Sequence, residues 1–136
     1  MTHFRLEVTT PADGGREVVP VLDGVPLTEL VAAFEAARGW DPAGGYGGRW
    51  FDPARPGEVL AELRPGRRRL VAVLACECGT TGCWPLETVI SPDDDAVHWS
   101  GFRQPHRPAW DYRGFGPFTF DAEAYRAALV EAFGSH

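Results

Sequence analysis

The sequence predicts a single α+β domain, residues 1–136, built on a largely antiparallel β-meander with two main helices packed on one face. Three observations carry that expectation. Short apolar runs, alternating or continuous, recur between turn signals. Two segments place their apolar residues at helical spacing. A chain of 136 residues that is 44% hydrophobic and 24% charged suits one core, neither disordered nor divided.

Phe4, Leu6 and Val8 alternate with polar residues, PADGGR supplies a turn, and EVVPVL follows, so this segment predicts a hairpin or two neighbouring strands. Pro20 cannot donate to a ladder, which implies an edge strand or an early break. Leu27, Leu30, Val31, Phe34 and Ala37 then share one helical face; with Pro26 for the first turn and Gly39 for the stop, they predict a helix over about 27–38. Residues 39–57, GWDPAGGYGGRWFDPARPG, are dense in Gly and Pro and predict a long surface loop. Trp40, Tyr46, Trp50 and Phe51 would give it aromatic area for a lid or contact surface. Its glycines do not make a nucleotide loop, because the chain has no lysine to play the Walker role.

Arg64, Arg67, Arg68 and Arg69 gather around a Pro-Gly turn, and without interleaved aromatics they read as a solvated turn. LVAVLACEC, WPLETVIS and VHWSGF form the three-stranded meander, and EVLAEL could precede them as a fourth strand. HRPAWDYRGFGPFTF reads as an ordered loop packed on the domain. Asp121 is suited to cap a terminal helix over about 121–133, with Tyr125, Ala128, Leu129, Ala132 and Phe133 as its stripe. The predicted core face carries Val71, Val73, Ala75, Trp84, Leu86, Ile90, Val97 and Trp99, meeting Leu30, Val31, Phe34, Tyr125, Leu129 and Phe133 from the helices.

The net charge of −6 opposes broad binding to nucleic acid, which depends on releasing counterions through clustered positive charge. No run approaches the roughly 20 apolar residues of a membrane span, so no membrane partner is expected. The amino terminus lacks the form of a secretory signal, which points to a cytoplasmic location where thiols stay reduced. An odd count of three cysteines agrees with free thiols.

All three fall in CECGTTGC. If GTTG closes a hairpin, Cys78 faces Cys83, Cys76 lies beside Pro85, and the period of two puts Cys76, Cys78 and Cys83 on one face, opposite the core. Continuing the meander with Ile90 opposite Val97 and Val89 opposite His98 sets Cys83 level with Gln104. His106 then becomes the nearer fourth ligand, and His98 falls at the far end. Cys76, Cys78, Cys83 and His106 make a Cys3His set of the kind that holds structural zinc. Residues two apart on a straight strand stand too far apart for easy chelation, so a bulge or bend near Cys78 and Gly79 is required. Three other readings stay open: small thiols filling a crowded hairpin end, with Gly79 and Gly82 permitting the turn; a Cys78–Cys83 disulfide; and a nucleophilic cysteine with His106 as its base. His98 beside Trp99 is expected to be a satisfied structural histidine, His3 and His136 exposed, and Arg103 and Arg107 surface ion-pair formers.

The pattern C-x-C-G-x-x-G-C-W-P-L at Cys76 to Leu86 is followed by V-x-W-x-x-F-x-x-P-H-R at Val97 to Arg107 and by Trp110, Tyr112 and FGPFTFD. It resembles a family of small uncharacterised proteins from GC-rich bacteria over about the last sixty residues. The resemblance implies a metal-braced or aromatic-packed sheet end and brings no activity with it. The functional expectation is a non-enzymatic binding or interaction protein with a protein partner, such as a neutralising partner of another bacterial protein. The alternative is a small enzyme using a Cys–His pair.

Overall fold

The computed structural model describes residues 1–10 and 14–134. In chain order the elements are β1 (Phe4–Thr9), β2 (Arg16–Leu22), β3 (Val25–Pro26), α1 (Leu27–Ala37), β4 (Tyr46–Gly47), β5 (Arg49–Phe51), α2 (Gly57–Leu63) and β6 (Arg69–Cys76). A 3-10 turn at Thr81–Cys83 follows, then β7 (Leu86–Pro92), β8 (Ala96–Arg103), β9 (Phe118–Asp121) and α3 (Ala122–Phe133). The predicted α+β class holds, and every strand pairing is antiparallel. One sheet runs β1-β2-β3 with β5 also on β2, and the other runs β4-β6-β7-β8-β9.

Pro20 does not end β2 or put it at an edge. It pairs with Leu6 on one side and, on the other, falls between Arg16–Val18, which pair with β5, and Val21–Leu22, which pair with β3. The ladder is thus interrupted at the residue that cannot donate.

The 39–57 segment is not a plain surface loop. It holds two short strands, with Tyr46, Arg49 and Phe51 buried and Trp50 exposed. Glycine is required here by close approach: a Cβ on Gly48 would stand 2.8 Å from the Val18 carbonyl oxygen, and one on Gly47 3.1 Å from the Glu77 Cα. These glycines let one stretch of chain join both sheets. Arg49 adds to the link, donating to the Ala72 carbonyl at 2.6 Å and pairing with Glu62 at 3.2 Å.

EVLAEL is helical and not a fourth strand. Val59, Leu60 and Leu63 are its buried residues, at helical spacing against the core. The Arg69 guanidinium donates to the carbonyls of Ala61, Glu62 and Arg64 at the carboxyl end of α2, so one of the four clustered arginines caps a helix instead of being solvated.

In the meander, Ile90 pairs with Trp99 and Pro92 with Val97, two residues from the expected register. A slip of two leaves every side chain on its face, which is why the predicted core residues survive it. Val71, Val73, Ala75, Leu86, Ile90, Val97 and Trp99 are all buried, and Trp84 is partly so. Phe118 to Phe120, expected in a loop, form with Asp121 the strand β9 on the outer side of β8. α1 lies against β2, β3 and β4, and α3 against β1, β8 and β9. Tyr125, fully buried, stacks on Phe4 at 4.4 Å and donates to the Leu63 carbonyl at 2.6 Å, tying α3 to α2. The Asp121 carboxylate caps α3 by accepting from the Ala124 N–H at 2.9 Å.

Candidate metal centre

The cysteine connection is not the expected hairpin. β6 ends at Cys76, whose partner is Tyr46 of β4, and the first β6–β7 pair is Leu74 with Leu86. Cys78 and Cys83 therefore do not face each other in a ladder. Instead the backbone folds back on itself: the Gly79 N–H donates to the Cys76 carbonyl at 2.9 Å, and the Cys83 N–H to the Thr80 carbonyl at 3.3 Å. Gly79 sits at φ +94°, a conformation that favours glycine, whereas Gly82 has neither a positive φ nor a close neighbour. Of the two glycines read as permitting the turn, only the first is required by conformation.

This bend does what a straight strand would not. Residues two apart on a strand lie about 6.6 Å apart, yet the Sγ atoms of Cys76, Cys78 and Cys83 all lie within 4.8 Å of one another. The Cys78 N–H points at the Cys76 Sγ, 3.5 Å away. All three are free thiols, Cys76 half-buried and Cys78 and Cys83 exposed. They are compatible with a metal site, and their exposure is at odds with thiols that merely fill a crowded interior.

Cys78 and Cys83 are perturbed in opposite directions. Cys78 is brought down to about 7, chiefly because the Thr80 backbone N–H donates to it, with the Cys76 thiol next. Cys83 is pushed up to about 11, first by its hydrogen bond with Cys76 and then by that with Cys78. Ionisation of Cys78 is favoured, and ionisation of Cys83 beside its neighbouring thiols is opposed. A bound cation would relieve that opposition.

His106 lies beside the cluster without entering it. Its Nε2 is 2.8 Å from the carbonyl oxygen of Gly82, to which it donates, and its ring lies nearly parallel to Trp84, centroids 6.3 Å apart. His98 is at the other end of the meander, with Nε2 2.6 Å from Asp93 and Nδ1 3.0 Å from Thr119, a satisfied pair of contacts. The His98 contact holds the Asp93 carboxyl below its usual range. Arg103 pairs with Glu87 at 2.7 Å, as expected of a surface ion pair. Arg107 instead lies 5.0 Å from the Trp84 ring and donates to the His106 carbonyl. His3 is exposed, and His136 lies outside the described residues.

Behind the turn is a polar network that the sequence reading missed. Glu35 is fully buried. Its carboxylate accepts from the Gly44 N–H at 2.8 Å, the Tyr46 hydroxyl at 2.7 Å and the Tyr112 hydroxyl at 2.5 Å. Buried Gln104 donates to the Tyr46 oxygen and the Pro85 carbonyl, both at 3.0 Å, and accepts from the His106 N–H at 3.1 Å. The Trp84 Nε1 donates to the Gly44 carbonyl at 2.8 Å, and the Glu77 N–H to the Gly45 carbonyl at 3.0 Å. The cysteine turn is thereby fastened on both flanks to a buried, satisfied network. One sequence signal was available: Glu35 follows Leu27 and Val31 at intervals of four, on the helix's own apolar stripe.

Compared with models of known families, curated proteins and solved structures, the chain matches none.

Proposed function

We propose that this chain is a non-enzymatic binding or interaction protein whose β6–β7 connection is braced by one Zn(II), held by Cys76, Cys78 and Cys83 with His106 as fourth ligand. The supporting observation is the gathering of three sulfurs within 4.8 Å by a turn that the Gly79-to-Cys76 and Cys83-to-Thr80 backbone bonds close. Thiolate ligands about 2.3 Å from a tetrahedral zinc stand about 3.8 Å from one another, a contraction that side-chain rotation supplies. A mixed thiolate and imidazole set favours zinc over hard cations. For His106 to join, its ring must exchange the Gly82 carbonyl for the metal, a local step for a side chain already at the turn.

The assembled protein should carry about one zinc per chain. Metal analysis of tag-free protein, under conditions that retain weakly held metal, tests this; no stoichiometric zinc would remove the metal from the account. The partner is expected to be a protein, without nucleic acid or membrane, and the location cytoplasmic. Among the described residues, no helix is long and apolar enough to cross a membrane. Exposed Trp50 offers contact area for a partner. A pull-down from the source bacterium that recovers nothing specific would count against that part.

The Cys–His enzyme has weaker support, because the His106 Nε2 is engaged by a backbone carbonyl and does not reach a sulfur. Rapid labelling of one thiol, abolished in His106→Ala, would reverse that preference.

A further inference from the structure

The three thiols are not equivalent in how they are held. Cys76 belongs to β6: it is half-buried, its backbone pairs with Tyr46, its carbonyl accepts from Gly79, and its sulfur faces the Cys78 N–H. Cys78 and Cys83 lie outside the strands, exposed, on the two arms of the turn. Their sulfurs are within 4.8 Å, which leaves a bond-forming approach of less than 3 Å to about 2.05 Å. The turn between them contains Gly79 and Gly82, and a Cβ at either would meet nothing within 4 Å, so no neighbouring residue packs against these two positions.

From this arrangement we infer that the turn is a peroxide-responsive modification site, in which Cys78 and Cys83 close to a disulfide and release the metal. The inference rests on the zinc reading above. The chemistry needs a hydroperoxide as oxidant and balances in two steps. One exposed thiolate attacks a peroxide oxygen; the O–O bond breaks, water leaves when the oxidant is hydrogen peroxide, and the sulfur becomes a sulfenic acid. The second sulfur then attacks the first, the S–O bond breaks, a second water leaves and the S–S bond forms. Two thiols lose two electrons and two protons, and the peroxide takes both. A disulfide sulfur is a poor zinc ligand, so Cys76 and His106 alone remain and the ion dissociates. A thiol donor, exchanging with the disulfide, restores the site.

The test compares reduced zinc-loaded full-length protein with reduced metal-free protein, each treated with one equivalent of hydrogen peroxide. The metal content is measured first. Intact mass, free-thiol count and a non-reducing peptide map are then read beside zinc release to a chelating dye. The expected result is the loss of two hydrogens in mass, two of three thiols consumed, Cys78 linked to Cys83, one zinc released per chain, and reversal by dithiothreitol. Cys76→Ser should still form the bond, whereas Cys78→Ser and Cys83→Ser should not. Linkage through Cys76, or independent oxidation to sulfinic acids, would overturn the inference. So would zinc retained with intact thiols at a peroxide dose that oxidises the metal-free protein, a result that leaves the zinc reading standing. A protein that holds no zinc before peroxide is added sinks the metal reading and the release step together, and the initial metal content separates that failure from a failure of the switch alone.

Discussion

Replacing Glu35 with alanine should be among the most damaging single changes available on α1. The carboxylate is fully buried and accepts three hydrogen bonds, from Gly44, Tyr46 and Tyr112. Alanine removes the acceptor and leaves three donors facing a small void. A buried donor left unsatisfied costs about 1–3 kcal/mol, but the two tyrosine hydroxyls can turn. The net loss expected is therefore about 3–5 kcal/mol, the lower part of what three donors left unsatisfied would cost. Against a total stability of about 5–15 kcal/mol that is a large fraction. Tyr112→Phe removes one donor and leaves the carboxylate its other two, so it should cost only about 1–2 kcal/mol. Urea denaturation followed by tryptophan fluorescence reads both, and an unchanged m value would show that the denatured state has not shifted. The double variant should lose less than the sum of the singles, because the two residues share one bond. A loss below about 1 kcal/mol for Glu35→Ala, or strict additivity in the double variant, would refute the view that this network anchors the region around the cysteine turn.

Two further outcomes follow from the packing and the ionisation of the same core. The chain has three tyrosines, Tyr46, Tyr112 and Tyr125, and all are pushed well above the ordinary phenol range, first by burial and, for Tyr46 and Tyr112, next by their bonds to Glu35. The folded state thus keeps protons that the unfolded chain releases near pH 10, so stability is fully present below that pH and falls as the pH climbs above it. Phenolate absorbance should rise only together with unfolding; a folded protein titrating one tyrosine near pH 10 would contradict this. Gly48→Ala should lose about 1–3 kcal/mol, because its Cβ would sit 2.8 Å from the Val18 carbonyl, whereas Gly82→Ala, with open space around it, should change stability by less than about 0.5 kcal/mol. Thermal melts of the two variants side by side check the contrast.

Much of the fold was legible because periodicity reports which face is buried whatever the register. α1 and α3 fall close to their predicted spans, and the meander's core residues are buried even though Ile90 pairs with Trp99 and not with Val97. Short elements were less legible. α2 spans Gly57–Leu63, too few residues for a helical stripe to separate itself from the strand-like run EVLAEL. β4 and β5 lie inside a Gly-rich segment whose composition signals a loop, and their strand geometry comes from the sheets they join. The site was legible in part. Proximity of the three cysteines followed from spacing, and the need for a bend near Gly79 was correctly anticipated. The hairpin pairing invoked to bring them together was wrong, because a 3-10 turn at Thr81–Cys83 ends the ladder early. His106 reaches the turn by another route, with Gln104 holding its backbone beside Pro85. The Glu35 network was missed, since a buried glutamate depends on partners from residues far along the chain, which no local pattern displays.

Cys76, Cys78 and Cys83 are proposed to hold one metal together, with His106 completing the set. X-ray absorption at the zinc edge of the purified protein tests this most directly, because it reads the ligand atoms themselves. Three sulfurs at about 2.3 Å and one nitrogen at about 2.0 Å are expected, with the nitrogen lost in His106→Ala and the sulfurs retained. A protein without bound zinc, or a shell made mainly of oxygen and nitrogen, would contradict this.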